Sequence, residues 1–221
     1  MAFSFTSCFK IALIVLNLSL FANVDPSDEL PQIVAFLGSK RVGKDTSADY
    51  LIRSYGYEKY ALADPMKQAV QSLFHFSEDQ LWGDAKEIVD PYWEVTPREI
   101  MQFIGIDTLF EGLATRFPHL GHTFYLRAFD RWRDAHPQSL VVISDLRMQE
   151  DVFALKKRGA LIIRIKRPEI LLEDTHVSEA QVASVTGYDI TIVNDGTIEE
   201  LEEKIKKAIK NLCMKTLTAT P

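Results

Sequence analysis

Cysteine is scarce in this chain. Cys8 and Cys213 stand near opposite ends, with no Cys-x-x-Cys pair and no His-rich neighbour, which excludes a disulfide framework and a zinc module and fits a reducing compartment. Excess positive charge is also absent. The 25 Lys and Arg residues against 31 Asp and Glu give a formal charge of -6, which excludes a general nucleic-acid binder relying on a broad basic surface. No coiled coil, internal repeat or second domain is visible to receive a mechanical switch. The apolar run from Ile11 to Phe21, after Lys10 and before Ala22, is too short for a membrane span and has the form of a secretory signal. Residues 1–30 are therefore set aside as an N-terminal apolar extension, with Asp25-Pro26-Ser27-Asp28 as a linker. Membrane association is expected only if that segment is retained, and the location expected without it is cytoplasmic. At 221 residues and 47% hydrophobic content, the remainder predicts one α/β domain over 31–213, followed by a disordered tail over 214–221. A homodimer is left open.

What the chain does contain is one strong motif. Ile33-Val34-Ala35-Phe36-Leu37 is an apolar strand signal, and Thr46 to Arg53 is amphipathic. Between them lies Gly38-Ser39-Lys40-Arg41-Val42-Gly43-Lys44-Asp45-Thr46, two glycines five apart followed by lysine, the spacing of a phosphate-binding P-loop. The glycines permit a tight turn with N-H groups pointing inward, and the helix that follows adds partial positive charge. The whole stretch is expected to bind ATP. Lys44 would reach the β- and γ-phosphates, while Lys40 and Arg41 suit a second anion nearby, as in a kinase whose acceptor is itself phosphorylated. Asp45 departs from the pattern, because serine or threonine usually stands there to meet Mg²⁺. Either Asp45 holds the ion through a water or Thr46 takes over.

Further along, Glu58 to Ala63 predicts a second strand, and Asp64-Pro65 a helix cap followed by a helix to Phe76. Ser77 to Pro91 loses its period and reads as a surface excursion. Thr96-Pro97-Arg98-Glu99 has the form of a capping box opening a helix through Phe103, and Thr123 to Ala135 predicts another. Leu140 to Ile143, ending in Ser144-Asp145, reads as a buried parallel strand; a helix over Asp151–Arg158, a strand over Ala160–Ile165, a strand over Ile190–Val193 and a helix from Gly196 to Leu212 complete the order. Such alternation predicts a three-layer α/β/α fold with a mostly five-stranded parallel sheet and ligands at the strands' carboxyl ends. The phosphate loop, Asp145 and Asn194 all fall on that edge.

Several segments together resemble the deoxynucleoside monophosphate kinases of phages and large DNA viruses. They are Lys40 to Asp49, Leu62 to Lys67, Met101-Gln102-Phe103-Ile104-Gly105-Ile106-Asp107, Asp145-Leu146-Arg147, Asp174-Thr175-His176-Val177-Ser178-Glu179 and Asn194 to Thr197. The resemblance implies ATP and Mg²⁺ as cofactors and a deoxynucleoside monophosphate as acceptor, with Lys67, Arg98 and Gln102 flanking the acceptor site. The loop and the Ser-Asp-x-Arg strand end are also similar to animal-type phosphomevalonate kinases, and a P-loop ATPase without an acceptor is a third reading. Arg147, past a buried strand, is placed to reach a phosphate or to pair with Asp145; Asp145 would hold Mg²⁺ through water or orient the acceptor. Arg127 and Arg131, four apart, are candidates to read base or phosphate, and Trp82, Trp93 and Phe124 to stack on a base. Asn194 and Gly196 would present backbone to adenine or form only a strand-to-helix turn. Arg167 to Gly187 is long for a connection and suits a lid carrying Arg167, Asp174, His176 and Glu179. His176 is not needed as a base, because a phosphate acceptor already carries nucleophilic oxygens. His75, His119, His122 and His136 have no metal-ligand spacing and are expected on the surface.

Overall fold

The computed structural model describes residues 30–120, 123–168, 182 and 184–218, the last of these over 212–218 as helix backbone only. Five strands, β1 (Ile33–Leu37), β2 (Glu58–Tyr60), β3 (Val141–Leu146), β4 (Leu161–Lys166) and β5 (Ile190–Val193), form one sheet in the order β2-β3-β1-β4-β5. Every neighbouring pair is parallel. β1 is therefore central, which explains why all five of its residues are buried and why its sequence is continuously apolar rather than alternating. The chain leaves β1 toward β2 on one side and later reaches β4 on the other. The crevice between β1 and β3 is thus the switch point at which ligands settle in such sheets.

Alternate residues of β1 point to opposite layers. Ile33, Ala35 and Leu37 pack with Leu126 and Phe129 of helix α6 (Phe124–Ala135) and Val152 and Leu155 of helix α7 (Gln149–Lys157). Val34 and Phe36 pack with Ala48 and Leu51 of helix α1 (Lys44–Tyr55) and with Leu201, Ile205, Ala208 and Ile209 of helix α8 (Ile198–Thr218). The spacing of those four residues is that of one apolar helix stripe. α8 runs past Leu212 to Thr218, into the stretch expected to be a tail.

A third cluster belongs to the insert between β2 and β3. Met66 and Val70 of helix α2 (Asp64–Phe74), Leu81 of helix α3 (Glu78–Leu81), Met101 of helix α4 (Pro97–Gln102) and the intervening Phe76 form a core separate from the sheet. Ser77 to Pro91 is more ordered than its composition predicts: Ser77 and Gln80 make a reciprocal cap on α3, and a 3₁₀ turn spans Asp84–Glu87. One turn of helix is too short to show a hydrophobic period. The predicted cap at Asp64 also differs, since Ala63 occupies the cap position and the Asp64 carboxylate instead accepts from Trp82 Nε1 at 2.8 Å.

α4 continues without a break into a wide π-type coil, Phe103–Gly112, and then α5 (Leu113–Arg116). Tyr125 of α6 docks here, donating to the Gly105 carbonyl at 2.9 Å, and a Cβ on Gly105 would lie 3.1 Å from that hydroxyl. This contact falls within the first turn of the π coil, where the helix ladder is already widened. Nothing in the local pattern around Phe103 signals a partner on a distant helix. The capping box at the start of α4 is present in both halves: Thr96 Oγ1 accepts from Glu99 N–H at 3.2 Å, and Glu99 accepts from Thr96 N–H at 2.8 Å. Thr96→Ala is expected to lower stability by about 1 kcal/mol, read as a shifted urea midpoint, because the insert's entry helix loses its cap.

Candidate active site

The phosphate loop leaves the carboxyl end of β1 and enters α1 at Gly43. Its glycines are required by neighbours: a Cβ on Gly38 would lie 2.5 Å from the Ile165 carbonyl oxygen, and one on Gly43, at φ +106°, would lie 2.8 Å from Asn194 Nδ2. Arg41 is exposed and holds a left-handed φ of 62°. Lys44 is only 7% exposed and lays its ammonium across the loop, donating to the Ser39 carbonyl at 2.5 Å. No side chain caps α1, so the amides of its first turn point into the loop. Ser47 is buried and turned away, its Oγ donating to the Gly43 carbonyl at 2.7 Å.

Asn194 proves to be a support of this loop. Its buried amide donates to the Val42 carbonyl at 2.9 Å, while its backbone N–H donates to Lys166 O at 2.7 Å. Gly196 has a local reason too, because a Cβ there would collide with Glu200 Oε2 at 1.7 Å. That carboxylate accepts from Thr197 N–H, and Thr197 Oγ1 accepts from Glu200 N–H, a capping box at the start of α8. Of the two readings left open for this turn, the geometry therefore favours the structural one.

Asp45 faces the end of β3. Its Oδ1 accepts from Lys59 Nζ of β2 and from Ser144 Oγ, each at 2.9 Å. Burial pushes its carboxyl upward, but the hydrogen bonds from Lys59 and Ser144 and the charges of Lys59 and Lys44 outweigh it and hold the group below its ordinary value. Thr46 is half-buried one residue further on. The oxygen donors gathered here, a carboxylate with the hydroxyls of Thr46 and Ser144 nearby, are the hard ligands that suit Mg²⁺.

Asp145 turns the other way. Its two oxygens accept from the Leu62 and Ala63 amides at 2.9 and 3.0 Å, which braces the entry to α2 against the sheet. Burial dominates its titration and raises its pKa, against the lowering effect of those amides. Behind it, Asp151 at the start of α7 is pushed up to about 7 by burial, then by the charges of Asp145 and Glu150. Tyr125 and Tyr60 are pushed up to about 12 by burial and by neighbouring carboxylates. The floor of the cleft is thus an acidic pocket facing inward. Arg147 lies half-buried just past β3 on the same edge.

The insert carries cations of its own. Lys67 of α2 is held below the usual lysine range, first by burial and then by Lys86 and Arg98, while Asp64 and Asp145 oppose the shift. Its ammonium lies 5.4 Å from the Trp82 ring centroid, a cation–π contact. Arg98 of α4 grips Glu87, with Nη2 at 2.7 Å from the carboxylate. Glu87 is held below its ordinary value chiefly by that bond, with further help from Arg98, Lys40 and Lys86, so the loop's Lys40 and the insert's cations share one electrostatic neighbourhood. Gln102 ends α4, half-buried on the same helix as Arg98.

Other candidates are placed elsewhere. Arg127 is exposed and donates to Thr123 Oγ1 and to the His119 carbonyl, tying α6 to the chain before it. Arg131 is exposed between Asp130, paired with Arg158, and Arg133, bonded to Gln32 ahead of β1. Those partners sit at the amino edge of the sheet, so the structure does not bring Arg131 to the loop. Trp93 packs on Phe74 and Tyr92 and bonds the Phe74 carbonyl, and Phe124 packs on Tyr125. His136 is half-buried, stacked on Trp132 at 4.3 Å, rather than on the surface. Arg167 is exposed at the end of β4; Asp174, His176, Glu179 and His122 lie outside the described residues, as does the apolar run from Ile11 to Phe21. Among the described residues no helix is long and apolar enough to cross a membrane. Lys59, Ser144 and Glu87 are not among the site residues that the sequence points to. The signal was there for Ser144, a polar residue closing a buried strand, but not for Lys59 or Glu87.

A strand, an amide-lined loop with a buried lysine and a helix, set at the switch point of a five-stranded parallel sheet, define a P-loop α/β protein. The chain belongs to the deoxynucleotide monophosphate kinase family, whose profile matches residues 32–94 and 80–205. It is 38% identical over 186 residues to a protein of Acanthamoeba polyphaga mimivirus assigned to the deoxynucleotide monophosphate kinases, covering 81% of this chain and 96% of that one. The deoxynucleotide monophosphate kinase of Enterobacteria phage T4 is 24% identical over 248 residues, covering 82% of this chain and 100% of the relative. Among solved structures, shikimate kinase from Aquifex aeolicus aligns over 82% of this chain and 98% of its own at 17% identity and a TM-score of 0.46. The match to this family does not favour the phosphomevalonate or acceptor-free readings.

Asp151 makes stability depend on pH. Its folded pKa, about 7, lies above the ordinary value of 3.8, so the folded state binds the proton more tightly. Stability is therefore greatest below the unfolded pKa, falls as pH rises from about 4 to 7, and levels off above that, by up to about 4 kcal/mol. Asp151→Asn should flatten this dependence in urea titrations at pH 5, 7 and 8.5. An unchanged slope would contradict the assignment.

Proposed function

We propose that the protein transfers the γ-phosphoryl group of ATP to the 5′-phosphate of a deoxynucleoside monophosphate, giving ADP and the deoxynucleoside diphosphate. The observation that supports this reading is a phosphate loop closed around the buried Lys44 beside the central strand, together with an insert that gathers Arg98 and Lys86 about Glu87, a carboxylate whose charge Lys40 of the loop also helps to hold. A donor triphosphate would lie in the loop, its β- and γ-oxygens taking the Lys44 ammonium from the Ser39 carbonyl. The acceptor phosphate would lie against the insert, where it would replace Glu87 on Arg98. A phosphate oxygen attacks the γ-phosphorus in line as the bond to the β-bridging oxygen breaks, so no protein base is needed. Lys44, Arg147 and Arg41 would meet the charge spread over the transferred group, an electrostatic role of several kcal/mol. Asp45 or Thr46 would hold Mg²⁺, which would supply a counter-charge to the phosphates.

Asp145, on this reading, aligns the insert with the donor loop and acts on the acceptor through α2. Trp82 beside Lys67 is the aromatic best situated to meet a base. Arg167, exposed at the end of β4, would add a further cation for the phosphates. A cytosolic location, where ATP and deoxynucleotides are at hand, is part of the same reading.

Lys44→Ala should reduce kcat by at least about 10²- to 10³-fold with circular dichroism and thermal midpoint unchanged, since an oriented charge is lost from the transferring group. Near-normal turnover would remove the assignment. A panel of deoxy- and ribonucleoside monophosphates with phosphomevalonate and Mg-ATP, scored by thin-layer separation of labelled products, tests the acceptor. Diphosphate formed from phosphomevalonate alone, or ATP hydrolysis independent of any acceptor, would refute the proposal.

A further inference from the structure

The phosphate loop of this chain lacks the hydroxyl that normally follows its lysine, and the carboxylate in its place is held from two other elements. Lys59 pairs in register with Val142 across β2 and β3, and Ser144 lies two residues beyond Val142. All three therefore stand on the sheet face covered by α1, whose core includes Val142. From there the Lys59 ammonium and the Ser144 hydroxyl converge on one oxygen, Oδ1 of Asp45, each at 2.9 Å. Among the described residues Oδ2 accepts no hydrogen bond. Ser144 is 5% exposed, and this bond links it to a residue 99 positions away in sequence.

We infer that Lys59 and Ser144 are positioning residues for Asp45, fixing its carboxylate as the protein's oxygen ligand to the divalent cation of bound ATP, with Lys59 offsetting the extra negative charge. The inference rests on the reading of the chain as a Mg-ATP-dependent kinase. Two considerations support it over a merely structural pair. The side chains of Lys59 and Asp45 are 40% and 74% exposed, and an ion pair so open to water adds little to stability. A carboxylate beside a triphosphate also repels it, whereas a hydroxyl does not, so a loop that replaces the one by the other needs a compensating cation within contact distance. Lys59 supplies that charge on the side of Asp45 opposite the uncommitted oxygen. Ser144 fixes the rotation of the carboxylate, so Oδ2 is presented in one direction.

Calorimetric titration with ATP, in excess Mg²⁺ and separately in EDTA, tests this on the full chain and on K59M, K59R, S144A, D45N and the K59M/D45N double variant. In K59M the dissociation constant with Mg²⁺ should rise about tenfold, with most of the loss restored in K59R. S144A should show a smaller rise. In the D45N background the same K59M change should alter the constant by less than about twofold, because its target is gone. D45N alone should shrink the ratio between the EDTA and Mg²⁺ constants. An equal loss from K59M in both backgrounds, which would mean that Lys59 meets the phosphates itself, overturns the inference. So does an unchanged constant in K59M, or an unchanged EDTA-to-Mg²⁺ ratio in D45N. The titration needs no acceptor, so a wild-type protein that binds Mg-ATP yet phosphorylates no monophosphate overturns the proposed function while leaving this test intact.

Discussion

The Asn194 amide beneath the Val42 carbonyl is the contact on which the rest of the site depends. A phosphate loop works only if several N–H groups point inward together, a shape that a short loop does not hold by itself. Its shape must come from outside. Asn194 at the end of β5 and the Ile165 carbonyl at the end of β4 supply it by pressing on Gly43 and Gly38, where no side chain would fit. The sheet thus pre-forms the cradle, and Lys44 waits across it on the Ser39 carbonyl.

A second constraint sets the position of the insert against the phosphate loop. The insert carrying Lys67 and Arg98 has its own small core, built on Met66, Val70, Phe76, Leu81 and Met101, and could shift as a unit against the sheet. Asp145 holds it at the Leu62 and Ala63 amides, and Tyr125 holds it at Gly105. Both anchors lie among inward-facing acids and phenols with raised pKa values. The result is a separation of charge in which acids brace the frame from behind and cations face the cleft. Glu87 on Arg98 is the exception, a carboxylate resting on a surface suited to phosphate.

Much of this was legible beforehand where the signal was local. The span of β1, the capping box at Thr96 and the strand at Ile190–Val193 follow from short patterns of apolar and capping residues, and the structure has them at those positions. The π coil at Phe103–Gly112 was not legible, since no local pattern marks it and its partner Tyr125 stands on another helix. Arg131 misled for the same reason. Spacing of four puts it on a helix face with Arg127, but only the packing of α6 shows that its end lies beside Gln32 at the amino edge. Asn194 and Gly196 stand out in the sequence, but that the Asn194 amide supports the loop and that Gly196 sits against Glu200 is not visible there, since the direction of an amide or the room for a Cβ depends on what lies opposite.

Sequence by itself determined the strand, glycine loop and helix of the phosphate-loop motif, the parallel character of the sheet and the anomaly of Asp45. These depend on the conformational limits of glycine and on hydrophobic periodicity, both of which act over a few residues. Tertiary structure alone decided that Lys59 and Ser144 meet at Asp45, that Asp145 turns to the insert, and that Lys40 shares a field with Arg98. Each of those joins groups far apart in the chain, and a contact of a few ångströms is set by how layers pack, which no local pattern records.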